Sequence, residues 1–247
     1  MFEFEHQGRN IQIKTDECFE PNLTTKIILS AVIKILSEEA AKDIRHVIEL
    51  GCGCGVISTY LMKFGFFKNI SYVGMSDISS VAVETTKVNI KNHKNSQDID
   101  FFEFKIGPGL KIWRDIEFDL VINDISAISD RLLSMTSWFD NAPNNSGVDG
   151  IENTINILRE FNELMKQNSM MLIPVLSLSN VHEIKKEIKK IGLNYEIVIK
   201  KNWPLPKKMV EDNYEELLIL RELGNINFIE KFGQYVVETA VYKIWKG

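Results

Sequence analysis

The chain opens on an alternation of apolar and polar positions. Phe2, Phe4, Ile11 and Ile13 alternate with polar neighbours on either side of Gln7-Gly8-Arg9-Asn10, the pattern of a β-hairpin. From Leu23 to about Lys42 the apolar residues recur at helical spacing (Ile27, Ile28, Ala31, Val32, Ile35, Leu36), with Thr24 and Thr25 available as caps. The pattern then becomes regular. Strands are expected at His46–Leu50, Ile70–Met75, Asp98–Lys105 and Phe118–Asn123, with helices from about Val56 to Phe64 and Ser79 to His93 and a turn at Gly107-Pro108-Gly109. Ile125 to Asp149 shows little periodicity. Beyond it come a helix over Gly150–Gln167, a strand over Ser169–Leu176, a helix over Asn180–Ile191 and a strand over Tyr195–Ile199. A helix over Glu211–Gly224 and a strand over Tyr235–Ile244 complete the chain. Strands alternating with helices imply crossover connections and a mostly parallel sheet. The expectation is an α/β fold with seven strands after the hairpin, the last two free to be antiparallel. A hairpin extension over 1–22 would precede one domain over 23–247.

Composition narrows the class. Of 247 residues 45% are hydrophobic and 26% charged, which excludes a disordered or low-complexity chain. The net charge of −5 does not call for nucleic acid. Between 185 and 208, however, eight lysines (Lys185, Lys186, Lys189, Lys190, Lys200, Lys201, Lys207, Lys208) stand against only Glu187 and Glu196. Few aromatic residues interleave with them, so a solvated face is favoured over RNA or DNA. Cys18, Cys52 and Cys54 cannot all pair, which suits a reducing compartment. A C-x-C pair without further ligands is a poor zinc site, and the four histidines are scattered, so no metal is expected. The first residues lack the basic start and apolar run of a signal peptide, and no stretch approaches the ~18 apolar residues of a membrane span. A cytoplasmic protein is expected.

The chemistry begins at Glu49-Leu50-Gly51-Cys52-Gly53-Cys54-Gly55, which ends the first sheet strand and opens a helix. Open α/β sheets bind nucleotides at that place. Dinucleotide folds use G-x-G-x-x-G against a pyrophosphate. Here the spacing is G-x-G-x-G, Val56 takes the place of the third dinucleotide glycine, and an acid stands two residues before the first one. The run resembles the first motif of the class I S-adenosylmethionine-dependent methyltransferases, whose fold is Rossmann-like. The cofactor carries a sulfonium and an ammonium, beside which an acid is favourable. Asp77, 26 residues after Gly51, ends the second strand, where a carboxylate can accept both ribose hydroxyls or cap the next helix. The resemblance implies a cofactor-binding set of Glu49, Gly51, Cys52, Gly53, Gly55, Asp77, Ile78, Thr25 and Asp124. The sequence departs from the resemblance after Gly107, where an acid that often contacts the adenine amino group is expected and Pro108 stands instead, which leaves backbone groups near Lys105–Gly107 as candidates for adenine recognition.

Phe118-Asp119-Leu120-Val121-Ile122-Asn123-Asp124-Ile125-Ser126-Ala127 falls where this family orients the methyl acceptor. Glutamine and adenine amino-methyltransferases end this strand in Asn/Asp-Pro-Pro-Tyr/Phe. Asp124 takes the Asn/Asp position, and Ile125, Ser126 and Ala127 replace the prolines and the aromatic. Glu20-Pro21-Asn22-Leu23-Thr24-Thr25 and Asp149-Gly150-Ile151 are also similar to segments of the release-factor glutamine methyltransferase group. The resemblance thus covers about residues 19 to 176. It implies Asp124 as orienter or base, with Asn123 second; either residue can instead serve the turn after the strand.

The segment after Asp124 is placed to cover the site. Trp138 and Phe139 are candidates for the missing ring, or else pin the segment to the core. Ser126 and Ser177 are candidate acceptor contacts, Ser179 a candidate N-cap, and Trp203-Pro204-Leu205-Pro206 a candidate rim. The leading expectation is methyl transfer to nitrogen or oxygen of a small molecule or peptide. The alternatives are a protein or RNA acceptor held by the lysines, and a non-catalytic cofactor-binding scaffold.

Overall fold

In a computed structural model, which describes residues 1–15, 17–94, 101–125, 128–136, 138 and 146–247, Phe2–His6 (β1) and Arg9–Ile13 (β2) pair antiparallel. Gln7 and Gly8 join them, both at positive φ (49° and 73°), as a two-residue hairpin turn requires. The inner face of the hairpin (Phe4, Ile11, Ile13) is buried in the same core as Leu23–Leu36 (α1) and Val56–Lys63 (α2). α1 stops at Leu36, earlier than the expected Lys42, because its apolar stripe ends there. Ser37 caps it, and a 3-10 turn over Glu39–Asp43 follows.

The main sheet contains His46–Leu50 (β3), Tyr72–Asp77 (β4), Phe101–Ile106 (β5), Leu120–Asn123 (β6), Met170–Leu176 (β7), Leu193–Pro204 (β8), Ile229–Lys231 (β9) and Gln234–Lys246 (β10). Their order is β5-β4-β3-β6-β7-β10-β8, and β9 pairs with the start of β10. The first five are parallel, and β10 runs antiparallel to both β7 and β8. The seven expected strands are all present, with β9 as an addition. β8 and β10 exceed their expected lengths because each extends along the other from Lys246↔Leu193 to Val236↔Pro204. Polar positions such as Lys200, Lys201 and Asn202 on the exposed edge strand β8 hide that length from periodicity.

Successive strand residues enter opposite cores, as a period of two dictates. Val47, Leu120 and Ile122 face α1, α2 and Ser80–His93 (α3). Ile48, Val121 and Ile173 face Glu152–Leu164 (α5) and Val181–Lys190 (α6). Gly74 in β4 leaves room for the buried Trp113, whose ring would lie 2.8 Å from an added Cβ.

A third core stands beyond the carboxyl edge of the parallel strands. β10 begins on that side, since Thr239 pairs with the last residue of β7, and its earlier residues project past the edge. Around this projection Ile128, Leu132, Leu178, Leu205, Met209, Leu217, Phe228 and Val237 form a separate apolar cluster. They come from Asp130–Leu133 (α4), Lys207–Glu222 (α7) and the chain around them. α7 starts four residues before the expected Glu211 and bends at Asn213. No helix among the described residues is long and apolar enough to cross a membrane.

Candidate active site

The glycine turn takes its shape from three left-handed residues, Gly51, Gly53 and Gly55, at φ of 68°, 53° and 73°. Each has a different surrounding. A side chain at Gly51 would meet Ile125 at 2.7 Å, and one at Gly55 would meet Thr86 at 2.7 Å. Gly53 has open space above it. Gly55 therefore serves packing and the start of α2, away from the cavity wall, while Gly51, Cys52, Gly53 and Cys54 line the cavity. Burial pushes the Cys52 thiol up and the Cys54 thiol to about 12, so both are neutral.

The cavity, of about 580 Å³, runs along the ends of four adjacent strands. Asp124 follows β6, the glycine turn follows β3, Asp77 ends β4, and Gly107-Pro108-Gly109 follows β5. At roughly 4.8 Å per strand the row spans about 14 Å. Thr25, Ile78 and Ile125 also line it. Asp77 does two local jobs: Oδ2 accepts the Gly53 N–H at 3.0 Å and Oδ1 the Ser79 N–H at 2.9 Å. Ser79 in turn caps α3 by accepting the Ala82 N–H. Each Asp77 oxygen keeps a lone pair for a ligand hydroxyl.

Asp124 sits on the wall with its Oδ2 accepting the Thr25 hydroxyl at 3.3 Å. Its Oδ1 is out of contact with solvent and has no hydrogen-bond partner among the described residues. Burial raises this carboxyl to about 7, with Thr25 opposing. Thr25 is itself fixed by a capping box, in which Asn22 Oδ1 accepts the Thr24 and Thr25 N–H groups and Thr25 Oγ1 accepts the Asn22 N–H. Glu49 lies beneath the turn rather than on the wall, buried and accepting the Ser58 hydroxyl. Burial raises it to about 8, and the charges of Asp124 and Asp77 add to the rise. A cationic ligand over these three acids would be stabilised. The open Gly53 and the spare acceptor capacity of Asp77 therefore fit S-adenosylmethionine.

Other expected residues lie elsewhere. Asn123 is buried, and its Oδ1 accepts the Ile125 N–H at 3.4 Å, so it shapes the turn. Ser177 is committed to backbone: its N–H goes to Glu238, its Oγ accepts the Glu238 N–H and its carbonyl the Asn227 N–H. Ser179 hydrogen-bonds Leu176, and the cap of α6 is Asn180 instead. Trp138 packs in the third core against Trp203, with ring centres 5.8 Å apart. Ser126 and Phe139 lie outside the described residues. Ile125 stays on the cavity wall, while Ile128, Leu132, Leu133, Met135 and Trp138 pack on the third core; Asp130 accepts the Ser146 and Gly147 N–H groups and ties the segment together. The lysines disperse, with Lys190, Lys200 and Lys207 paired to Glu187, Glu238 and Glu211.

One wall was not anticipated. Asn153, Asn156, Ile157 and Glu160 of α5 line the cavity at i, i+3, i+4 and i+7 spacing, as do Phe19 and Pro21 ahead of α1. That spacing is visible in the sequence, but only the packing of α5 says which face it serves.

The methyltransferase small domain family matches residues 25–124. A release factor glutamine methyltransferase of Dictyoglomus turgidum is 33% identical over 105 residues, 42% of this chain. That match spans 34% of the Dictyoglomus protein. The eRF1 methyltransferase catalytic subunit mtq2 of Schizosaccharomyces pombe is 24% identical over 202 residues, 71% of this chain and 80% of that protein. Among solved structures, the E. cuniculi Mtq2-Trm112 complex, titled as responsible for methylation of the eRF1 translation termination factor, superposes with a TM-score of 0.54. It is 15% identical, over 94% of this chain and 99% of that one, a likeness of fold.

Proposed function

We propose that this chain, built on the class I S-adenosylmethionine-dependent methyltransferase fold, methylates a glutamine side-chain nitrogen in a translation release factor. Asp124 on the cavity wall, whose enclosed Oδ1 has no hydrogen-bond partner among the described residues, carries the reading. An amide N–H is the donor that oxygen lacks. The two relatives, named for release-factor substrates, support a protein acceptor over a small molecule.

S-adenosylmethionine supplies a methyl group already activated on a sulfonium. Aligning an amide nitrogen with it is the main task, and such positioning is worth ~7–11 kcal/mol of barrier. Asp124 holds one N–H of the acceptor amide and takes its proton as the N–C bond forms, leaving an N-methyl amide and a neutral thioether. Thr25, donating to Oδ2, leaves Oδ1 as the carboxylate oxygen available to the acceptor. Ile125 stands where related enzymes have the first proline, so the apolar contact beside the acceptor comes from an aliphatic side chain. The naming of the S. pombe relative as a catalytic subunit supports a second subunit for this protein too.

The test incubates the purified protein, S-adenosylmethionine and each release factor of the source organism, and reads tryptic peptides by mass spectrometry. A one-methylene gain on a glutamine peptide, lost in Asp124→Ala with cofactor binding retained, is expected. Methyl transfer to small molecules or RNA but to no release factor would refute the proposal.

A further inference from the structure

The turn after β5 lacks the carboxylate that would meet the base of a bound nucleoside, yet a carboxylate reaches it from elsewhere. Glu160 projects from α5 to this turn, and its Oε2 accepts the Leu110 N–H at 2.6 Å and the Lys111 N–H at 3.2 Å. It occupies the room that Gly109 leaves by having no side chain, since a Cβ there would lie 2.5 Å from Oε2. Two backbone donors on one oxygen fix the orientation of the carboxylate. The other oxygen, Oε1, has no hydrogen-bond partner among the described residues, although Glu160 lines the cavity. The nearby Lys111 ammonium pairs with Glu163 at 3.3 Å.

Strand order says which part of a ligand lies there. Asp124 follows β6 and marks the methyl end; Asp77, on β4, marks the ribose. Ile106 pairs with Asp77, and the Gly107 N–H donates to the Asp77 carbonyl at 2.9 Å, so the β5 turn is the next station outward. A nucleoside held at Asp77 with its sulfur toward Asp124 extends its base over this turn. An oriented carboxylate oxygen without a donor selects a base carrying an exocyclic amino group over one carrying a carbonyl.

Resting on the cofactor reading, we propose that Glu160 is the specificity residue for the adenine amino group, delivered from α5 in place of an acid at the end of β5. The experiment measures calorimetric binding of S-adenosylhomocysteine and of its 6-oxo analogue, S-inosylhomocysteine, to the native protein, Glu160→Gln and Glu160→Ala. The native protein is expected to prefer the amino ligand by about 10-fold or more, the scale of a hydrogen bond to a charged group. In Glu160→Gln the amide oxygen must face the Leu110 and Lys111 N–H groups, which turns the amide nitrogen toward the base. The preference should then fall and swing toward the 6-oxo ligand. In Glu160→Ala it should fall toward parity. Loosening of the turn alone would weaken both ligands alike and leave their ratio at the native value, and that result would overturn the proposal. Failure of the native protein to bind either ligand would overturn the cofactor reading and this inference with it.

Discussion

Replacing Asp124 by Asn should make the protein more stable and catalytically inert, and the gain should depend on pH. Burial holds this carboxyl at about 7 against a reference of 3.8. Between those values the native state carries a proton that the unfolded chain has lost, so native stability falls as pH rises through the window. At 1.36 kcal/mol per unit, three units set a ceiling of about 4 kcal/mol above pH 7. Because part of the residue faces the cavity, about 2–3 kcal/mol is the working figure. Asn keeps an oxygen for the Thr25 hydroxyl and removes the ionisation. The variant and the native protein should unfold alike near pH 4 and diverge up to pH 7. The variant should lead by ~4–12 °C at pH 8 for a domain of this size. Urea and thermal unfolding from pH 4 to 8, beside turnover and cofactor titration, measure this. A gap that does not vary with pH, or a variant less stable at pH 8, would show that Asp124 is not held against its own ionisation.

Other outcomes follow from the same geometry. Thr25→Val removes the one interaction that lowers Asp124, so the acid limb of the pH–rate profile should move to higher pH, and Thr25→Ser should restore it. Gly55→Ala forces a side chain into a left-handed residue and against Thr86, which should cost ~2–4 kcal/mol in urea unfolding while leaving the cavity wall in place. For Asp119, burial alone would raise the carboxyl, but Lys166 at 2.9 Å and the His46 and Arg45 N–H groups at 2.8 Å outweigh it and hold the group low. Asp119→Asn should therefore cost ~1–3 kcal/mol at neutral pH, and the loss should vanish as pH falls through the lowered native value.

Local features were the legible ones. The hairpin, the parallel strands and the glycine turn declare themselves by periods of two, by helical spacing and by glycines at fixed offsets, all within a few residues. Asp77 and Asp124 were legible because strand ends place them. What depends on distant packing was not. Ser177 looked free beside the sheet edge until Glu238 and Asn227 claimed its polar atoms. Trp138 could be a ring for the site or an anchor to the core, and the sequence left both open because the partner that decides it, Trp203, is 65 residues away. The α5 wall was hidden because a polar helix face reads as solvated unless something opposite it makes a groove. β8 ran longer than its pattern because only its pairing with β10 supports its polar half.

The two cysteines in the floor of the glycine turn carry a last consequence. A thiolate is a far better methyl acceptor than an amide, and here two sulfurs line the chamber where an electrophilic methyl group would be delivered. A thiol that titrates at about 12, as Cys54 does, is ionised in about one molecule in 10⁵ at pH 7. Cys52, pushed up by the same burial, is likewise silent. On the proposed reading, the acidity suppressed beneath the turn would keep both thiols from competing with the acceptor for that methyl group.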